Sequence, residues 1–110
     1  MPVMEAMTDA ALIDRLAKHV FNWGVTADRF LLPNRSWCPR WKFRPLEKLS
    51  DAFKLLDAAA PTRYAISFSS GRFRVEVEVK GNVGRANRTD RPRTIVLALA
   101  RSLKLTGAKT

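Results

Sequence analysis

One cysteine and one histidine are all the thiolate and imidazole metal ligands that this 110-residue chain offers. Cys38 alone excludes an internal disulfide and falls short of a cysteine-based zinc site, which fits a reducing compartment. His19 stands off the apolar stripe of its segment, so it reads as a solvated surface residue and not as a base held beside a nucleophile. Long apolar runs are missing too. Glu5, Asp9, Asp14 and Arg15 interrupt the N-terminal region, and no stretch approaches the length of a membrane span. No repeat or low-complexity tract breaks the chain into units. The expectation is one soluble, cytoplasmic domain over residues 8–105, with residues 1–7 as a flexible leader, 106–110 as a frayed tail, no cofactor, no metal and no membrane partner.

Acidic residues are the next scarcity: ten, against twenty lysines and arginines, for a formal net charge of +10. The imbalance is uneven along the chain. Residues 1–34 carry three bases against four acids, whereas residues 35–110 carry seventeen against six. A surface this positive attracts polyanions through its long-range field and through released counterions, whatever fold lies beneath it.

What is present reads as alternating helices and strands. Thr8 suits a helix N-cap, Asp9 suits the positive end of the helix dipole, and Leu12, Ile13, Leu16, Ala17, Val20 and Phe21 repeat at helical spacing up to Trp23-Gly24. Arg29–Leu32 and Arg40–Phe43 are expected as two short strands around the turn signals Pro33-Asn34 and Pro39. Pro45 fits a first helical position, and Leu46, Leu49, Ala52, Phe53 and Leu56 form a stripe that Pro61 ends. Tyr64, Ile66 and Phe68, then Phe73, Val75, Val77 and Val79, alternate with polar residues on either side of Ser70-Gly71, the pattern of an antiparallel hairpin. Residues 80–93 read as a mobile basic loop, and Pro92 starts a last helix striped by Ile95, Val96, Leu99 and Leu103. The fold class is α+β: a single domain in the order α-β-β-α-β-β-α, with a mainly antiparallel sheet packed by helices. Arg72, Arg74, Glu76 and Glu78 share one face of their strand, so that face is expected to meet water or a partner.

Four segments carry a resemblance. Met7-Thr8-Asp9-Ala10 followed by Leu12-Ile13, Trp41-Lys42-Phe43-Arg44-Pro45-Leu46-Glu47 running into Asp51-Ala52, the aromatic hairpin, and Arg91-Pro92-Arg93-Thr94-Ile95 ahead of an alanine-rich helix resemble the small phage and prophage proteins grouped as the phage ABA sandwich domain. The resemblance spans residues 7–105. It implies phage origin, life in a host bacterial cytoplasm, and an α/β sandwich with helices on both faces of the sheet; it implies no activity. Arg44 stands where that pattern would place an asparagine, and the chain is more basic than the family leads one to expect.

Chemistry in the sequence points to contact and away from catalysis. Glu76 and Glu78 lie ~7 Å apart on one strand face, close enough for paired carboxylates, but ion pairing with Arg72 and Arg74 explains them more simply. Gly81-Asn82-Val83-Gly84-Arg85 lacks the Lys-Ser/Thr of a phosphate-binding loop and the third glycine of a dinucleotide loop, so it reads as a flexible connection. Two basic segments remain. The first interleaves Arg35, Arg40, Lys42 and Arg44 with Trp37, Trp41 and Phe43; there Trp41 and Phe43 are expected in the core, with Trp37 open between core edge and contact surface. The second holds Lys80, Arg85, Arg88, Arg91 and Arg93 ahead of a helix N-terminus, where anions are favoured.

Three functions follow from these readings. The first is a non-enzymatic, phage-encoded interaction protein that docks its basic surface onto an acidic host protein or a nucleoprotein, such as a defence complex of the CRISPR type. Direct DNA or RNA binding with little sequence preference is the second. A small hydrolase or nuclease is the third, and the missing base and metal sets place it last. A homodimer through the open strand face or its edge is also compatible with the sequence.

Overall fold

A computed structural model describes residues 8–33 and 35–105. The expected leader at 1–7, the turn residue Asn34 and the expected tail at 106–110 lie outside the described residues. Thr8 caps the first helix as anticipated: its Oγ accepts the Ala11 amide at 3.1 Å, and helix α1 runs Asp9–Leu16. A wider π-type turn, Ala17–Phe21, carries the helical path on to Asn22, whose left-handed backbone ends it.

Beyond this turn lies a small antiparallel sheet of strands β1 (Gly24–Val25), β2 (Arg29–Leu31) and β3 (Trp37–Pro39), with Phe30 opposite Cys38. Its second expected strand is misplaced by the sequence pattern. Pro39 ends β3, and Arg40–Lys42 form a single 3-10 turn where residues 40–43 had read as a strand. Helix α2 runs Leu49–Ala58 and starts four residues later than Pro45 suggests. The reason is Asp51, whose carboxylate folds back to accept the Arg44 amide at 2.9 Å and so holds residues 44–48 in a separate turn.

The second sheet is the larger: β4 (Arg63–Ser69), β5 (Arg72–Val79) and β6 (Asn82–Arg88), all antiparallel in that order. Ser70-Gly71 and Lys80-Gly81 make its two tight connections, with φ values of 55° and 76° and of 50° and 84° respectively. Such positive φ at both turn positions matches the twist of the strands it joins. Strand β6 replaces the mobile loop expected over residues 80–93. Gly84 shows why: a Cβ there would lie 2.2 Å from the Ala98 carbonyl oxygen and 2.3 Å from the Ser102 nitrogen, so a glycine lets the strand seat directly on helix α3. The element order is therefore α-β-β-β-α-β-β-β-α, still a mixed α+β single domain.

Helix α3 (Arg91–Ser102) is the centre of the molecule. Thr94, Ile95, Val96, Ala98, Leu99, Ala100 and Ser102 are all buried, a helix apolar nearly all round, as expected where neighbours cover it on several sides. It packs on β5 and β6 on one side and on α2 on another. Its ends are tied to α1: Arg93 donates to both carboxylate oxygens of Asp9 at 3.1 and 2.9 Å, and Arg15 donates to the Leu105 carbonyl at 3.4 Å, so the two helices run in the same direction. Among the described residues, helices cover only one face of the large sheet. The opposite face, with Glu76 and Glu78 half-buried and Arg72, Arg74 and Arg85 exposed, is open, in contrast to the two-sided cover that the family resemblance implies.

Candidate polyanion-binding surface

The open sheet face sorts its charges by register. Along β5, side chains two residues apart are ~7 Å distant, while directly opposed residues on neighbouring strands approach within ~5 Å. Cross-strand partners therefore win. Arg63 reaches Glu78 at 2.8 Å and Glu76 at 3.4 Å, and Arg85 lies 3.6 Å from Glu76. The pairing of Glu76 and Glu78 with Arg72 and Arg74 expected from sequence is thereby overturned. Both carboxylates of the sheet are taken up by strands β4 and β6, in one half of it.

The other half keeps its arginines. Arg72 bonds only to Asn87, at 3.0 Å to its amide oxygen and 3.2 Å to its carbonyl, and Arg74 has no carboxylate partner among the described residues. Arg88, opposite Phe73, donates to the Asn87 carbonyl at 2.8 Å. Arg91, at the start of α3, lies 5.3 Å over the Phe73 ring. Phe68 stacks at a tilt on Phe73, centroids 4.7 Å apart, and is 62% exposed. Four arginines thus wrap the tip of the sheet from both faces around a partly exposed aromatic pair, with no ion pair to a carboxylate among the described residues. The chemistry of the cluster is that of bidentate donors able to grip carboxylate or phosphate.

The second sequence-predicted segment is accordingly dispersed. Arg88 and Arg91 join this cluster. Arg85 is held by Glu76 on the neutral half of the open face, and Arg93 is bound to Asp9, which holds the Asp9 carboxyl below its usual 3.8 through that hydrogen bond. Lys80 sits in the turn at the far end of the sheet, about 20 Å along β6 from Arg88, where it lines a cleft of about 360 Å³ with His19 and Lys104. Arg72 and Arg74 were the residues sequence reasoning missed.

The first segment also divides. Arg40 is structural: it binds Asp14 at 2.5 Å and lies 4.9 Å over the Phe30 ring, with Nη1 buried and unbonded among the described residues. Arg44 is paired with Glu47. Arg35, at φ 69°, and Lys42 are exposed. Trp37 is 54% exposed on the outer face of the small sheet, with Arg29 stacked 4.4 Å above it. Phe43 is buried as expected, packing edge-on against Phe21, Trp23 and Phe30. Trp41 is not: it is 69% exposed, because the 3-10 turn at 40–42 directs it outward along a cleft of about 470 Å³ floored by Ile13, Phe30, Phe43 and Leu46.

Among the described residues, no three histidine, cysteine or carboxylate side chains come together in a way that would hold a metal ion, and no helix is long and apolar enough to cross a membrane. No family model matches the chain, and no curated protein does. The chain is similar to the crystal structure of a phage protein from Bacillus cereus ATCC 14579, at 14% identity and a TM-score of 0.71, over 93% of this chain and 98% of that one. At this identity the likeness is one of fold: the chain has the fold of a phage protein, without a family name attached to it.

Proposed function

We propose that this chain is a non-enzymatic, phage-encoded interaction protein that docks the arginine-rich tip of its large sheet onto an acidic host protein or a nucleoprotein. A host-defence complex of the CRISPR type, being a nucleoprotein, is a target of the right chemistry. The observation that carries the reading is the placing of Arg72 and Arg74 on one face of the sheet tip and of Arg88 and Arg91 on the other, around the Phe68–Phe73 pair, four guanidinium groups with no carboxylate partner among the described residues. Isolated surface cations would be unremarkable; a set left unpaired while the two neighbouring carboxylates are consumed elsewhere has its charge available to a partner. The phage-protein fold supports the setting.

The same cluster supports direct nucleic-acid binding as the second reading, because Phe68 beside Arg91 and Phe73 provides a stacking plane next to phosphate-binding donors. Affinity capture from bacterial lysate, with and without nuclease digestion, separates the two. A partner retained after digestion, and lost with the fourfold variant Arg72→Glu/Arg74→Glu/Arg88→Glu/Arg91→Glu, supports protein docking. A partner released by nuclease shifts the reading to nucleic acid. Capture unchanged in the fourfold variant removes this surface from the function.

A further inference from the structure

We propose that strand β4 is a homodimerisation edge, along which a second copy of this chain pairs antiparallel to form one continuous six-stranded sheet. In the large sheet β4 has β5 on one side and, among the described residues, no strand on the other. It is seven residues long, with none of the devices that usually blunt an edge: no proline, no lysine and one charged residue, Arg63, already held by Glu76 and Glu78 of its own chain. Its helix-side residues are apolar and only half covered. Helix α3 packs on β5 and β6 and leaves β4 beyond its edge, so Tyr64 is 45% and Phe68 62% exposed with Ile66 between them.

The segment Arg63-Tyr64-Ala65-Ile66-Ser67-Phe68-Ser69 is complementary to itself. Centred on Ile66, antiparallel pairing sets Ile66 opposite Ile66 of the second copy, Tyr64 opposite Phe68, Ala65 opposite Ser67 and Arg63 opposite Ser69. Aromatic residues meet aromatic residues on the helix side, and no two like charges face each other. The open face matches as well. Antiparallel pairing brings the carboxylate half of one sheet beside the arginine half of the other. Glu76 then shares a row with Arg74 of the second copy, and Glu78 with Arg72, across two small or paired residues and ~14 Å between strands. The net charge of each copy opposes association, but this pairing sets the neutral half of one sheet, and not its arginine half, beside the arginines of the other. A second copy is therefore the occupant that fits, and it leaves two arginine tips at opposite corners of the joined sheet, a bivalent arrangement. Pairing along a single edge makes a small interface, so the association is concentration-dependent.

Sedimentation of the purified chain over a concentration series, with no anionic partner present, reads this independently of the docking function. The expected mass rises from 12.4 kDa toward twice that value. Tyr64→Lys changes an exposed side chain with no ring or hydrogen-bond partner among the described residues, and Phe68→Lys one that meets only the Phe73 ring; each is expected to shift dimerisation at least tenfold toward higher concentration while circular dichroism stays unchanged. In a Cys38→Ser background, Ile66→Cys is expected to form an intermolecular disulfide on mild oxidation, since only pairing centred there sets the residue opposite itself. A mass of 12.4 kDa throughout, dimerisation unaffected by both lysine variants, or a dimer in which Ile66→Cys does not cross-link would each overturn the proposal.

Discussion

At the scale of single residues, two positions carry consequences that the apolar pattern does not announce. Gly84 is one. Its backbone lies against α3 so closely that a methyl group would meet the Ala98 carbonyl and the Ser102 amide. Backbone cannot swing aside as a side chain can, so Gly84→Ala must push β6 off the helix. The expected cost is ~1–3 kcal/mol, read as a lower urea midpoint with an unchanged slope; a midpoint equal to the parent's would mean that β6 is not seated as described. Asp9 is the other. Arg93 holds its carboxyl below the ordinary aspartate value of 3.8, so the folded state binds that proton less readily than the unfolded one. The pair's contribution is present in full above that value and is lost as pH falls through the lower folded one. Because Asp9 is largely exposed, the contribution is at most ~1 kcal/mol. Asp9→Asn is thus expected to melt a few degrees below the parent near neutral pH and to converge with it in strong acid. A difference that persists in acid would assign the effect to something other than this ion pair.

At the scale of elements, the sequence resolves most where its periodicity is strong. The alternation of residues 63–79 and the Ser70-Gly71 turn set out the β4–β5 hairpin as it stands, and the stripes of α1 and α3 identify their buried faces. It resolves least where small residues do the packing. In β6 the helix-facing residues are Gly84 and Ala86, which look like a flexible linker because neither contributes an apolar bulk to the pattern. The signal was present in Lys80-Gly81, a two-residue hairpin connection of the same kind as Ser70-Gly71. Register hid the rest. Which arginines Glu76 and Glu78 would take depended on strands whose pairing is not written locally, so Arg72 and Arg74 could not be singled out before β4 and β6 were aligned. The aromatic run was half legible: Phe43 is core, but the direction of Trp41 follows from a 3-10 turn that Pro39 initiates. Hydrogen exchange checks β6 as an element. Its paired amides are expected in the same slow class as those of β5, since both strands lie under α3. Exchange at the rate of an open loop would restore the mobile-segment reading.

At the scale of the whole molecule, the net charge of +10 is not a uniform coat. Arg29, Arg40, Arg44, Arg63, Arg85 and Arg93 each meet a carboxylate, and they stabilise local geometry more than they advertise to a partner. Arg35 and Lys42 on the small-sheet side, and Lys18, Lys48, Lys54, Lys80 and Lys104 elsewhere, are exposed without an ion pair among the described residues, but the densest set is the tip of the large sheet, with Arg72, Arg74, Arg88 and Arg91. The overall positive field speeds encounter with any polyanion, but the sheet tip determines where that polyanion sits. The most direct measurement is binding of an acidic polyglutamate peptide and of a single-stranded DNA at two salt concentrations, comparing the parent chain with two variants. Replacing Arg72, Arg74, Arg88 and Arg91 by alanine is expected to weaken binding at least tenfold and to flatten its salt dependence, by a slope of about 3 on the DNA if four phosphate contacts are lost. Replacing Arg63, Arg85, Glu76 and Glu78 together by glutamine, which removes two charges of each sign and leaves that half neutral, is expected to leave affinity within about twofold of the parent. Equal losses from the two variants, or full binding by the alanine one, would contradict the account.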